Sequence, residues 1–248
     1  MSNILKNLKK VMGLGLKPNP HFCYVKELES SNKGIDIFKF ISKSSAPEGV
    51  SIKGKTWSKG TTIKIAFLNG SFRQQSMVKK YSVQWIKNKK YPVDLEFSFI
   101  EDRRKADVRI SFDAGKGSWS YLGTDATYVS SNKPTMNFGW LDKQVILHEF
   151  GHMLGLSHEH SHPLRTFDFN RKSVMKDVSK APNNWSYKMA YNNIFKKLNE
   201  TSTLFSRFDP KSIMLYFYPA KWTKNNKATN DNQNISQLDF EFVSKLYS

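Results

Sequence analysis

Five of the chain's six histidines lie within residues 144–163, QVILHEFGHMLGLSHEHSHP. No other stretch limits the fold as much. Its first part, 144–156, places Val145, Ile146, Phe150, Met153 and Leu154 at helical spacing, so it predicts an amphipathic helix with one buried side. His148 and His152, four residues apart, project from one face of that helix. Gly155 follows three residues after His152, where glycine lets a chain leave a helix through a left-handed conformation. The chain then turns back and His158 arrives from a loop. A fold for this chain has to bury the helix and return the loop to its histidine face.

The spacing predicts chemistry as well. Two imidazoles one turn apart reach a single metal ion, and Glu149, beside the first, reaches a water on it. Three nitrogen ligands leave one position of a tetrahedral Zn2+ open, which marks a catalytic site. Such an ion lowers the pKa of water to about 7 and polarises a carbonyl. Glu149 is expected to take the proton and pass it to the leaving amine. One catalytic zinc ion and hydrolysis of protein or peptide substrates are the expectation.

The five positions His148, Glu149, His152, Gly155 and His158 match the zinc signature HExxHxxGxxH of the metzincins. The segment FDPKSIMLY, with Met214, resembles the S-x-M-x-Y Met-turn of the astacin-like branch. Four further places carry the resemblance: Glu159 after the third histidine, GSWSYLG (117–123) with Ser118 where astacins have cysteine, TMNFGW (135–140), and the HEHSHP ending, similar to bacterial members. It extends over residues 55–248.

The resemblance implies an α+β fold: a twisted, mixed five-stranded sheet with packed helices, an active-site helix, and a C-terminal subdomain holding the Met-turn and a last helix. Met214 would be an apolar floor under the zinc. Gly155 and Glu159 would be structural, Glu159 by pairing with a freshly cut N-terminus. Tyr216 would ligate zinc at rest, then swing away and hydrogen-bond the tetrahedral oxyanion. The strand at Trp119, Ser120 and Tyr121 would bind an extended peptide by strand addition. There are also departures. A single cysteine rules out the catalytic-domain disulfides usual in astacins, and Leu215 stands in place of the usual Met-turn histidine. Residues 1–55 lack the F-x-G-D aspartate that blocks zinc in astacin zymogens. Cys23 is the candidate substitute, as a pro-segment thiolate ligand; its other reading is a small buried hydrophobe.

Outside the motif, TTIKIAFL (61–68), DLEFSFI (94–100) and ADVRISF (106–112) alternate apolar and polar residues and predict strands. Residues 75–89, 183–198 and 236–247 predict helices, the last opened by a capping-box-like Ser236 and Asp239. Residues 1–54 read as an N-terminal extension, either pro-segment or targeting element, and residues 55–248 as the catalytic domain. With 39% hydrophobic and 14% aromatic residues, the chain has material for a packed core, which a single cysteine obliges it to rely on.

Lys+Arg is 39 against 21 Asp+Glu, a net charge of +18 spread along the chain. It suggests acidic preference near the cut, and an alternative function: an inactive protease fold holding an acidic partner. No nucleic-acid signature accompanies the charge, so no nucleic-acid partner is expected, and a monomer is. No apolar run approaches the roughly 18 residues of a membrane span. The apolar stretch Val11 to Leu16 is shorter than the roughly 7–15 residues of a secretory core, so the expected location is the cytoplasm or the destination of a specialised export route.

Overall fold

A computed structural model describes residues 24–26, 50–180, 184–205 and 207–248. The elements, in chain order, begin with β1 (Tyr24–Lys26), β2 (Val50–Ile52) and β3 (Thr61–Phe67). In β3 the expected alternation holds, with Ile63 and Ile65 buried and Thr62 and Lys64 exposed. Helix α1 (Phe72–Ser82) starts at a capping box of Ser71 and Gln74. It ends sooner than its apolar stripe predicts, passing into a 3-10 turn, Val83–Trp85, that delivers Trp85 to the core.

Strands β4 (Leu95–Phe99), β5 (Val108–Ser111), β6 (Trp119–Tyr121) and β7 (Met136–Asn137) follow, then helix α2 (Lys143–Met153). Helix α3 (Arg171–Val178) and strand β8 (Thr203–Phe205) have no counterpart in the sequence reading. The helix expected over 183–198 is a short α4 (Tyr187–Ala190) running into a π-helical turn, Tyr191–Phe195. There the Asn193 side chain donates to the Met189 carbonyl at 2.8 Å, competing with the backbone for that acceptor and widening the turn. Helix α5 (Gln237–Tyr247) has the predicted Ser236 and Asp239 capping box.

The main sheet has the order β1-β6-β7-β5-β3-β4. Five of its strands form the mixed sheet expected, with β6 antiparallel to β7 and the other pairs among them parallel. The sixth, β1, comes from the N-terminal extension and lies parallel to β6 on the outer edge. A larger core joins the sheet to α1, α2 and α5, and a smaller one gathers Phe169, Val174, Val178, Ile194, Phe195, Tyr218 and Trp222. Tyr216 packs against both.

Residues 50–54, placed with the extension from sequence, are built into this body. β2 pairs antiparallel with β8, Ser157 N donates to the Val50 carbonyl at 2.9 Å, and Ser51 Oγ donates to the Gly155 carbonyl at 2.7 Å. No described helix is long and apolar enough to cross a membrane.

Candidate metal centre and active site

Helix α2 is fixed at both ends. Asp142 caps its start, accepting from Val145 N at 2.8 Å. Trp85 Nε1 donates to the Leu147 carbonyl, Trp57 Nε1 to that of Met153 and Tyr247 Oη to that of Leu154, at 2.9, 2.8 and 2.7 Å. Trp57 and Tyr247 thus satisfy orphan carbonyls of the helix end, while Trp85 bonds the middle of the helix. Gly155, at φ +88°, closes it in a Schellman motif: Leu156 N donates to the Gly151 carbonyl and Gly155 N to that of His152. This turn delivers the Leu156 carbonyl to the ring of His152.

His148, His152 and His158 are all buried, and one nitrogen of each lies within 4.8 Å of the others. His148 Nδ1 donates to the Ile213 carbonyl at 2.9 Å, and His152 Nδ1 to the Leu156 carbonyl at 2.8 Å. Those bonds place the protons on Nδ1 and leave the Nε2 lone pairs free for a metal. His148 Nε2 has no hydrogen-bond partner among the described residues, and His152 Nε2 lies 3.0 Å from His158 Nε2. A divalent cation satisfies lone pairs that converge in this way. Burial pushes His148 down to about 4, and His152 and His158 well below the usual histidine range, so all three are neutral, the form that ligates. The donor set fits zinc. Glu149 is wholly buried on the same helix, next to His148.

The Met-turn packs against the helix that carries His148 and His152. Met214 is buried, and a Cβ at Gly151 would come within 2.3 Å of its sulfur and 3.2 Å of Trp85. A side chain at Gly151 would therefore have to displace the end of the Met214 side chain and crowd Trp85. Gly151→Val is expected to lower stability by about 1–3 kcal/mol, read from the midpoint of chemical denaturation. An unchanged midpoint would show that Met214 moves aside freely.

Asp239 holds the turn, a role the sequence did not disclose. It accepts from Ser212 Oγ at 2.7 Å and from Ile213 N at 2.9 Å, while Ser212 Oγ also accepts from Met214 N. Ile213, which receives His148 at its carbonyl oxygen, is thus pinned at its nitrogen by the cap of α5. Burial pushes the Asp239 carboxyl up to about 6 despite those donors. Glu159 N donates to the Met214 carbonyl at 3.0 Å, and its carboxylate accepts from Asp209 N at 2.7 Å. Glu159 therefore ties the third-ligand loop to the Met-turn segment. Burial raises its carboxyl well above the usual carboxylate range.

Tyr216 Oη lies 2.8 Å from His158 Nε2, within the cluster. Two histidines left without a role by sequence are also placed. His160 stacks on His158 at 4.9 Å between ring centroids, and its Nε2 donates to the Asn193 carbonyl of the π-helical turn. His162 packs edge-on against Phe205 and Phe208, and its Nδ1 accepts from Leu164 N. Their closeness in sequence to His158 was the available signal. Trp119 and Ser120 are buried in β6, which packs against α2, and Tyr121 is half-buried. The edge expected to be open for substrate is covered: Tyr24, Val25 and Lys26 pair with Trp119, Ser120 and Tyr121. Cys23 lies outside the described residues.

Comparison with known proteins agrees with this geometry. The family Astacin (Peptidase family M12A) matches residues 49–247. One solved structure of myroilysin is 34% identical, covers 80% of this chain and 98% of its own, and superposes with a TM-score of 0.75. Another is 30% identical over 93% of this chain and 92% of its own, with a TM-score of 0.61. High choriolytic enzyme 1, a hatching-enzyme zinc-protease from the medaka fish Oryzias latipes, is 18% identical over 78% of this chain and 94% of its own. At a TM-score of 0.55 it shares the fold. No match was found among curated proteins. This chain belongs to the astacin family, peptidase family M12A, and is a zinc metalloendopeptidase.

Proposed function

We propose that Glu149 is the general base of peptide hydrolysis and Tyr216 the oxyanion donor. The carrying observation is the convergence of three neutral imidazoles beside a fully buried carboxylate on one helix face. Zinc bound there supplies Lewis-acid chemistry. Glu149 accepts a proton from the attacking water and returns it to the leaving amine. Tyr216 Oη, already among the ligand nitrogens, donates to the developing oxyanion. Tyr216→Phe is expected to retain zinc and lower turnover roughly a hundredfold, measured on a fluorogenic peptide. An unchanged rate would remove the hydroxyl from the mechanism. The presence of all three ligands and the glutamate favours turnover over a binding-only protein. Casein cleavage abolished by a chelator and restored by zinc tests this choice.

The part of the N-terminal extension that precedes Val50 is proposed as a pro-segment, with Cys23 a candidate thiolate ligand in the latent form. The support is β1, which occupies the outer edge of β6 where an extended peptide would add. Val25→Pro in the full chain removes a backbone donor from that strand and is expected to raise kcat/KM for peptides several-fold. An unaltered kcat/KM would mean that β1 does not stand in the substrate's way.

A further inference from the structure

Away from the zinc cluster the molecule has a concave, charged feature. A cleft of about 450 Å³ is lined by Arg165, Asp168, Phe169, Asn170, Arg171, Phe195 and Lys224. That volume lies in the range of small-ligand pockets, roughly 300–1,000 Å³. It sits behind the third ligand: the ring of His160 stacks on His158 and meets Phe169 edge-on at 6.3 Å.

One of its cations is held rigidly. The side chain of Arg165 is 6% exposed and donates to the carbonyls of His160, Phe167 and Phe195 at 2.9, 3.1 and 3.3 Å. Its guanidinium also lies 5.0 Å from the Phe169 centroid. Arg171 lies 5.5 Å from the Phe195 centroid and 6.0 Å from that of Tyr191, and gives one N–H to Tyr187 Oη at 3.0 Å. That leaves most of its donor fork uncommitted. Asp168 is the only acid in the lining, 3.6 Å from Arg165 and 3.7 Å from Lys224. One carboxylate against three cations leaves the cleft positive. Backbone carbonyls and the Phe169 ring fix the Arg165 guanidinium, and Tyr187 with the rings of Phe195 and Tyr191 orients that of Arg171, which reduces the ordering cost of binding an anion.

We propose that this cleft is a secondary binding site for an acidic peptide segment of the substrate, receiving Asp or Glu side chains away from the scissile bond. Carboxylates match the fork of Arg171 and the ammonium of Lys224. Phe169 and Phe195 offer apolar walls to the methylene stems. The site deepens the reading of the protein as a protease of polypeptides and rests on it for the identity of the ligand as peptide. Free phosphate presents similar anionic chemistry, and the test separates the two.

The test uses the full-length, zinc-loaded chain and a labelled tetraglutamate peptide, with tetraglutamine as its neutral counterpart, at 0.15 M salt. Arg171→Glu with Lys224→Glu reverses two cleft cations, neither of them in the catalytic machinery. Lys87→Glu with Lys89→Glu makes the same charge change at exposed positions outside the cleft. Tetraglutamate is expected to bind more tightly than tetraglutamine. The cleft variant should weaken it at least tenfold and the distant variant much less. kcat/KM for a substrate with an acidic segment should fall about tenfold in the cleft variant, with a neutral substrate unchanged. Equal losses in both variants, or no preference for tetraglutamate, would overturn the proposal. Inorganic phosphate binding as tightly as the peptide and displacing it fully would also overturn it, leaving a small-anion site. Binding is read without turnover, so an inactive protein that still binds tetraglutamate counts against the hydrolytic mechanism alone.

Discussion

Glu149→Gln is expected to keep its zinc and lose roughly 10²–10⁴-fold in turnover, the usual contribution of a positioned general base. By the tenfold-per-1.36 kcal/mol relation this is about 3–5 kcal/mol of transition-state stabilisation. Glutamine has the volume and shape of the side chain it replaces, so the packing of α2 around this fully buried position is retained. It lacks a basic oxygen that can hold the proton. The three ligands and the bonds from His148 to Ile213 and from His152 to Leu156 are untouched. The measurement pairs metal analysis of the purified variant with hydrolysis of casein and of a short peptide. A zinc-replete variant that cuts at the wild-type rate would remove Glu149 from proton transfer. A variant that loses both metal and rate would recast it as part of the metal's support.

Stripping the zinc is expected to abolish turnover and destabilise the fold, with both restored on adding metal back. A ligand at a thousand times its dissociation constant stabilises by about 4 kcal/mol, which for a chain of this size lowers the melting temperature by roughly 10 °C on removal. The arrangement of the ligands explains why the effect is large. Three neutral imidazoles are buried facing one another, with His152 Nε2 and His158 Nε2 3.0 Å apart and His148 Nε2 without a hydrogen-bond partner among the described residues. His152→Ala should reproduce the loss in a form that added zinc does not rescue. It removes a ligand and also the donor to the Leu156 carbonyl in the turn that leads to His158. The comparison is calorimetric melting of holo, chelated and reconstituted protein beside the variant. A melting temperature indifferent to metal, or full activity after chelation, would end the assignment of this cluster as a zinc centre.

The zinc ligands were legible because their geometry is local. Four residues along a helix place two rings on one face, and Gly155 announces the turn that returns the third. Strand β3 was legible for a similar reason, since burial on one face of a strand imposes period two, whereas β5 alternates apolar and polar residues although Arg109 and Ser111 are buried as well as Val108 and Ile110. The regions that escaped depend on partners distant in sequence. Strand β8 is only three residues long and exists through pairing with β2, about 150 residues away. The π-helical turn at Tyr191–Phe195 departs from its apolar stripe because a single Asn193 hydrogen bond competes with the backbone. Asp239 reads as half of a capping box, which it is. Its second function, anchoring Ser212 and Ile213, requires α5 to be folded against the Met-turn.

By itself the sequence determined the identity of the ligands, the helix that carries two of them, and the expected chemistry, since each follows from spacing along a few turns of chain. Tertiary structure alone decided which carbonyls set the histidine tautomers, that the edge of β6 is covered by β1, and that Arg165, Arg171 and Lys224 share one cleft. The physical reason is that hydrogen bonds and charges act over a few ångströms of space. Chain periodicity reports which side of an element is buried, but not what it is buried against.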